Sequence, residues 1–206
     1  MFKKILFKNY FLIFLIFFTL FGSFQVKNYG YAWDNGIHRV IGFVNLKYIL
    51  QVFDLDKKVE EKFPRIANVP NINDHPKYKL YGSIFTAPLA VIEIILGLTD
   101  NNKENKNNND KIYYLSCFFI FYIYCIALLF LHKTLLILTE NKSLSFLGVI
   151  FFILSPRIFA ESHYNISDIF LLNLVIFTNY FFLKNFKKQK TKNFILSSLF
   201  CAFSII

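Results

Sequence analysis

Three of the seven aspartates in this chain, Asp34, Asp74 and Asp168, lie in motifs that are suited to carry chemistry. Asp34 comes ten residues after Phe24, where the first apolar segment ends. Asp74 precedes His75 in a polar stretch, and Asp168 precedes a later apolar segment. A carboxylate at a membrane surface can take a proton from a hydroxyl group or ligate a divalent cation. These positions therefore indicate general-base or metal chemistry.

Each aspartate also has a structural interpretation, which the sequence leaves open. Asp34 stands where a helix N-cap would satisfy free backbone N–H groups. Asp168 stands where it would complement the dipole of a helix. Asp74 and His75 fit an ordinary polar loop, because two candidate ligands do not make a metal site. Asp74 is kept as a candidate metal ligand, and the cofactor is unknown.

The composition predicts that a membrane positions these residues. The chain has 206 residues, of which 55% are hydrophobic and 20% are aromatic. Soluble domains are about 45–50% apolar, so the excess is expected to be buried in lipid. The predicted fold class is an all-α polytopic membrane protein, with residues 1–206 as one transmembrane domain.

The formal charge of +10 is not taken as a sign of nucleic-acid binding. The lysines lie mostly between apolar segments, where they set the orientation of a membrane protein. No basic patch with a recognisable readout geometry accompanies them. The three cysteines lie inside apolar segments, and their spacing fits neither a zinc site nor a disulfide framework.

Hydropathy predicts the helices that cross the membrane. The segment 81–98 is apolar, but Pro88 should break a helix there, and Glu93 near a bilayer centre would cost about 2–3 kcal/mol. This segment is therefore predicted to be an interfacial or re-entrant helix. A second interfacial helix is predicted at 37–53, where apolar residues recur at helical spacing. The predicted spans are 10–24, 112–131, 144–160 and 169–183, with a partial span at 194–206.

Charge and the number of crossings together predict which face each loop occupies. The N-terminus is basic, and five lysines fall within residues 184–192, so both regions should be cytoplasmic. The number of crossings between them must then be even, which the four predicted spans satisfy. The loop 132–143 is predicted to lie inside, and the loops 25–111 and 161–168 outside. Asp34, Asp74 and Asp168 would share the outer face.

The order of these motifs resembles the N-terminal part of a family of membrane enzymes. Asp34 lies in Trp-Asp-Asn-Gly-Ile-His-Arg, Asp74 lies in Asp-His-Pro before an apolar helix, and Ser-Pro-Arg, ending at Arg157, comes before Asp168. This order is similar to that of the GT-C glycosyltransferases of the protein O-mannosyltransferase and aminoarabinose-transferase type. Members carry an essential acidic residue in the loop after the first span, often in an Asp-Glu pair. In this chain Asn35 occupies the second position of that pair.

The resemblance implies a fold, a reaction and a site. The fold would be GT-C-like, with juxtamembrane helices in the first outer loop. A sugar would pass from a dolichyl- or polyprenyl-phosphate donor in the membrane lipid to an acceptor hydroxyl. Asp34 and Asp168 are the candidate catalytic residues. His75, Lys77 and Arg157 are candidate contacts to the donor phosphate, because cationic groups stabilise a departing phosphate.

The expected location is the bacterial inner membrane, with the site on the periplasmic face. A transporter or lipid-flippase fragment is the alternative function, and it predicts charges inside the spans and paired broken helices. Glu93 is the one residue that fits this alternative. Because the sequence stops within an apolar segment and family members have more spans, a fragment that is inactive by itself is also expected.

Overall fold

The computed structural model describes residues 10–30, 32, 34–74, 83–98 and 106–205, and in these ranges it contains helices and no strands. The all-α prediction is therefore confirmed for the described part of the chain. The helices in chain order are α1 (Tyr10–Gln25), α2 (Asn35–Val52), α3 (Asp56–Lys62), α4 (Pro64–Ala67), α5 (Ser83–Ile95), α6 (Lys106–Thr139), α7 (Lys142–Ile153), α8 (Pro156–Glu161), α9 (Ile166–Lys188) and α10 (Thr191–Ile205).

Three helical segments among the described residues are long and apolar enough to cross a membrane. They are Tyr10–Asn28, which joins α1 to a short 3₁₀ turn, Asp110–Thr139 within α6, and Ile166–Lys187 within α9. Helices α5 and α7 are apolar but shorter. Their length and composition support the prediction of a multi-pass membrane protein.

The chain forms two compact units. The first contains the described residues up to Gly30 and those from Cys117 to Ile205, and the second contains the described residues between 31 and 116. The boundary at Cys117 falls inside α6, which is continuous across it. The second unit is thus an insertion in the chain between two candidate spans.

In the first unit, α1 runs antiparallel to the later part of α6. Near the start of α1, the Phe11 ring stacks on His132, with their centroids 3.9 Å apart. Near its end, the Ser23 hydroxyl lies 3.1 Å from that of Tyr122. A Cβ added at Gly22 would come within 2.1 Å of the Phe121 ring, so this close approach requires glycine.

Helix α7 runs back along α6, and α9 then runs parallel to α6. The Ser145 hydroxyl lies 2.8 Å from Nδ1 of His132, while Phe152 stacks on Tyr124. Farther along the chain, Phe130 packs edge-on against Phe177 and Tyr180, with both centroid distances 5.0 Å. Lys187, at the end of α9, donates from Nζ to the Ile137 carbonyl at 3.0 Å. The start of α1 and the ends of α6 and α9 therefore lie at one end of this unit, the lysine end.

The segment 144–160, which was predicted as one span with Pro156 stopping or kinking its helix, forms two helices. Helix α7 ends at Ile153 and α8 begins at Pro156, with Ser155 extended between them (φ −60°, ψ 114°). The residue before a proline is driven out of the helical region, and proline is favoured at the first helical position. Residues 142–161 still carry the chain from the lysine end to the opposite end of the unit, because His163, just after them, stacks on Phe121 and Tyr29 there.

The predicted loop 132–143 is also wrong for most of its length. Helix α6 runs on to Thr139, because these residues include no proline or glycine to stop it. The reversal occurs at Glu140, which has φ +54°, and at Asn141. Asn141 caps α7, since its Oδ1 accepts from the backbone N–H groups of Ser143 at 2.9 Å and Leu144 at 3.2 Å.

In the second unit, α2 packs against α5 around a core of Phe43, Leu46, Ile66 and Ala90. Lys47, in α2, links this helix to the end of α4. Its Nζ donates to the carbonyls of Ala67, the last residue of α4, and Val69 at 3.2 and 3.3 Å. It also pairs with Glu60 at 3.3 Å. The predicted helix 37–53 matches α2 closely, and its interfacial position stays a prediction.

The expectation that Pro88 breaks its helix is wrong, because α5 continues through it. The proline removes one backbone hydrogen bond, but α5 packs on α2 on both sides of it, at Thr86 and Ala90. With 13 residues, α5 is about 20 Å long, shorter than the hydrocarbon core. That the segment 81–98 does not cross stays a prediction.

The path of the chain through the first unit predicts the side of a sealed vesicle from which each introduced cysteine will react. In a Cys201→Ser background, cysteines at Lys142 and Lys190 should react with an impermeant maleimide from one side. A cysteine at Asp168 should react from the other, because the predicted topology has residues 142–161 return the chain across the bilayer. Labelling of all three from one side would contradict this topology.

Gly42 permits the close packing of α2 and α5. A Cβ there would lie 2.5 Å from the Thr86 carbonyl oxygen, a backbone atom that cannot move aside without shifting α5. Gly42→Ala should therefore lower the free energy of unfolding by about 1–3 kcal/mol, measured by denaturant titration in detergent. Gly36→Ala in the same helix is the matched control and should not be destabilising, since no atom lies within 4 Å of its added Cβ.

Candidate functional site

Asp34 and His38 form a carboxylate–imidazole pair at the start of α2. The Asp34 Oδ2 atom lies 3.1 Å from His38 Nε2. The two residues are four apart, so one turn of helix places their side chains on the same face. The Asp34 side chain is 49% exposed, whereas that of His38 is 11% exposed. The carboxylate is therefore open to a reactant while its imidazole partner is held within the unit.

Asp34 occupies the N-cap position, but it does not cap the helix with its side chain. Its backbone is in the helical region (φ −94°, ψ −4°), and its carboxylate accepts no backbone N–H in the first turn of α2. Capping aspartates usually have an extended backbone, which aims the side chain at those N–H groups. The structural interpretation of Asp34 as a hydrogen-bonding cap is therefore wrong, and the carboxylate is used by His38 instead.

The residue after His38, Arg39, belongs to a buried ion pair that the sequence did not predict. Its Nε donates to both carboxylate oxygens of Glu93, at 3.1 and 2.9 Å, and its Nη2 also contacts Oε1. The Glu93 side chain is only 4% exposed. Removal of one partner from a buried pair leaves an uncompensated charge, which costs about 3–5 kcal/mol. The pair therefore fixes α2 against α5 next to Asp34 and His38.

Arg65 adds a second guanidinium group beside the Arg39–Glu93 pair, and these three residues form a charged cluster. Its Cζ lies 4.9 Å from the centre of the Phe43 ring, a cation–π distance. Burial lowers the pKa of Arg65, and the positive charge of Arg39 lowers it further, while Glu93 acts in the opposite direction. The cluster thus contains two guanidinium groups and one carboxylate.

Asp168 lies in the first turn of α9, in the first unit, as its structural interpretation predicts. The cap itself is Asn165, whose side chain accepts the Asp168 backbone N–H at 3.2 Å. The Asn165 amide donates in return to the Asp168 carboxylate at 3.0 Å. Asp168 is exposed, so its carboxylate combines a capping interaction with access to solvent.

Arg157 forms an ion pair within its own helix. Its Nε donates to Glu161 Oε1 at 2.8 Å, across one turn of α8. The Arg157 side chain is 81% exposed, so this pair contributes little stability. Arg157 remains reachable for a phosphate, although any such contact must compete with Glu161.

The remaining predicted site residues are Asp74, His75 and Lys77. Asp74 is exposed, and its backbone N–H donates to the Asn71 carbonyl at 3.1 Å in a turn. His75 and Lys77 lie outside the described residues. Within the described ranges, no group of three or more histidine, cysteine, aspartate or glutamate side chains is arranged to hold a metal ion.

Sequence reasoning missed His163, a fully buried histidine between α8 and α9. Tyr29 and Phe121 stack on its ring at centroid distances of 4.6 and 4.8 Å, and Phe159 lies at 5.0 Å. Its Nδ1 donates to the Phe159 carbonyl at 2.8 Å, and its Nε2 has no partner among the described residues. The aromatic residues are far apart in sequence, so the chain gave no local signal of this enclosure.

Comparison with protein-family models, with curated proteins and with solved structures gives no match for this chain.

The enclosure of His163 predicts that acid will weaken the fold of the first unit. Burial lowers the pKa of His163, so the unfolded chain takes up a proton at a higher pH than the folded chain does. Stability should be fully present above about pH 6.5, the ordinary histidine value, and should fall as the pH drops below it. Thermal unfolding in detergent between pH 7.5 and 5 measures this dependence.

His163→Phe should reduce the acid sensitivity, because it removes the titrating group and keeps an aromatic ring in the enclosure. The comparison is between the slopes of Tm against pH, so a uniform loss of stability in the variant does not affect the test. Equal slopes in the two proteins would exclude His163 as the source.

Proposed function

We propose that the chain is part of a polytopic membrane glycosyltransferase that moves a sugar from a polyprenyl-phosphate donor to an acceptor hydroxyl. The observation that carries this proposal is the Asp34–His38 pair, which begins six residues after the first candidate span, Tyr10–Asn28. The half-exposed carboxylate is suited to take the proton of the acceptor hydroxyl as oxygen attacks the sugar. The resemblance to the GT-C family supplies the donor class.

The surroundings of Asp34 suit a base that must hold one orientation. His38 contacts one carboxylate oxygen, and the helical spacing of the two residues fixes the distance between them. The adjacent Arg39 is held by Glu93 and stabilises the helix that presents both groups. Positioning of this kind contributes to catalysis by limiting the geometries that the base can adopt.

Asp168 and Asp74 are proposed in supporting roles, with Asp74 as the candidate metal ligand. Both are exposed and therefore accessible to an acceptor or a cation. Arg157, His75 and Lys77 are the proposed contacts to the donor phosphate. A cationic group there would stabilise the negative charge on the phosphate as the sugar leaves.

The proposed location is the bacterial inner membrane, with the lysine end of the first unit in the cytoplasm. Lys187 and the lysines that follow it lie at this end, in keeping with the excess of basic residues on cytoplasmic loops. Asp168 begins α9 at the opposite end, which would face the periplasm. The donor lipid would reach the site from the bilayer.

The alternative of a transporter or flippase fragment gains no support from Glu93. That alternative requires a functional charge inside a span. Glu93 is instead paired with Arg39 on α2, within the second unit. The transferase proposal is therefore preferred.

The test is sugar transfer by the reconstituted chain from radiolabelled polyprenyl-phosphate sugars. Asp34→Asn keeps the shape of the side chain but removes the base, so it should lower kcat by about 10²–10⁴-fold. Asp54→Asn is the matched control, because Asp54 is exposed in the same unit and asparagine tolerates its positive φ of 54°. Equal rates for Asp34→Asn and the control would remove Asp34 from the mechanism.

A further inference from the structure

We infer that Arg65, beside the Arg39–Glu93 pair, binds the phosphate group of a membrane lipid. This inference rests on the proposed function, since it adds a residue to those proposed to contact the phosphate of the donor. Arg65 was not among the residues that the sequence indicated for phosphate contact. It is identified by the balance of charges in the second unit.

The cluster contains one more positive charge than negative charge. Glu93 is committed to Arg39 through both carboxylate oxygens. Glu60 is paired with Lys47 at 3.3 Å. Among the described residues, none forms an ion pair with Arg65. An anion from outside the chain would supply the missing negative charge.

The position of Arg65 suits an external ligand. Its guanidinium lies over the Phe43 ring, and Phe43 is fully buried in the core of the unit. Arg65 itself is only partly buried, so a ligand can reach it. A guanidinium held against a fixed aromatic ring has lost much of its rotational freedom before the ligand arrives, which favours binding.

The electrostatic environment points in the same direction. Burial and the neighbouring Arg39 lower the pKa of Arg65 by more than Glu93 raises it, so its positive charge is disfavoured in the unliganded chain. A bound anion would relieve this cost. The gain is available to the ligand as binding free energy, because the unfavourable charge is already present in the fold.

Phosphate is the anion that the group and its location favour. The planar guanidinium can donate two parallel hydrogen bonds to a phosphate, which gives both strength and orientation. The second unit lies in the chain between two candidate membrane spans, Tyr10–Asn28 and Asp110–Thr139. A phosphate carried by a lipid is therefore concentrated where this unit is tethered.

The experiment measures binding by isothermal titration calorimetry in dodecyl maltoside, a detergent without phosphate. The probes are geranyl phosphate, inorganic phosphate and geraniol. We expect the wild-type chain to bind geranyl phosphate more tightly than inorganic phosphate and to give no heat with geraniol. Arg65→Gln should weaken geranyl phosphate binding at least about tenfold, since a charge-assisted pair contributes about 1.5–3 kcal/mol.

Two further variants separate a binding role from a structural one. Lys58→Gln removes an exposed positive charge from the same unit and should leave the Kd within about twofold, because an isolated surface charge contributes little. Arg65→Lys keeps the charge but loses the planar fork, so its Kd should lie between those of the wild type and Arg65→Gln. Circular dichroism and thermal unfolding establish whether each variant is folded.

Three results would overturn the inference: no binding of geranyl phosphate to the wild type, equal binding by wild type and folded Arg65→Gln, or equal binding of geraniol. Binding of inorganic phosphate as tight as that of geranyl phosphate would overturn the lipid source of the ligand. Failure of the proposed function is a separate result. Phosphate binding that depends on Arg65, in a chain that transfers no sugar, would leave this site standing and reject the transferase.

Discussion

The constraint on which this structure depends is that hydrocarbon offers no hydrogen-bonding partner to a peptide group. Each crossing segment must therefore satisfy its own backbone, and a helix does so locally. The break before Pro156 shows how the chain meets this demand. The backbone N–H groups of Leu154 and Ser155 still donate to carbonyls of the preceding turn, and that of Phe159 donates to Ser155. The interrupted segment thus keeps most of its backbone paired.

In the second unit, charged side chains pair with each other and with backbone carbonyls, in addition to the backbone hydrogen bonds within the helices. Arg39 and Glu93 neutralise each other across two helices, and Lys47 satisfies two loop carbonyls. These contacts hold α2 in place, and α2 begins beside the Asp34–His38 pair. Arg65 lies near the Arg39–Glu93 pair, and no carboxylate among the described residues forms an ion pair with it. Stability and the candidate site therefore depend on the same few charges.

The sequence predicted what hydropathy and local chemistry determine. Apolar length gave α1 and α9 closely and helical spacing gave α2, whereas the argument from Glu93 that the segment 81–98 does not cross stays a prediction. It could not give the partner of Glu93, since Arg39 lies 54 positions away. The end of α6 was misjudged because hydropathy falls at His132 while helical hydrogen bonding continues to Thr139. His163 was missed because its aromatic neighbours come from three separate segments. The pairing of Asp34 with His38 follows from their spacing, but the sequence alone also allowed Asp34 to cap the helix.

The contact between Lys187 and the Ile137 carbonyl bears on the order in which the chain is assembled. That carbonyl belongs to the last turn of α6, where no further N–H of the same helix remains to donate to it. Its partner is the side chain of a residue 50 positions later, at the far end of α9. During synthesis this carbonyl can receive Lys187 only after α9 has been made, and water can donate to it until then. The same lysine lies where the negative end of the α6 dipole attracts it. The end of α6 thus gains a partner from a residue made 50 positions later.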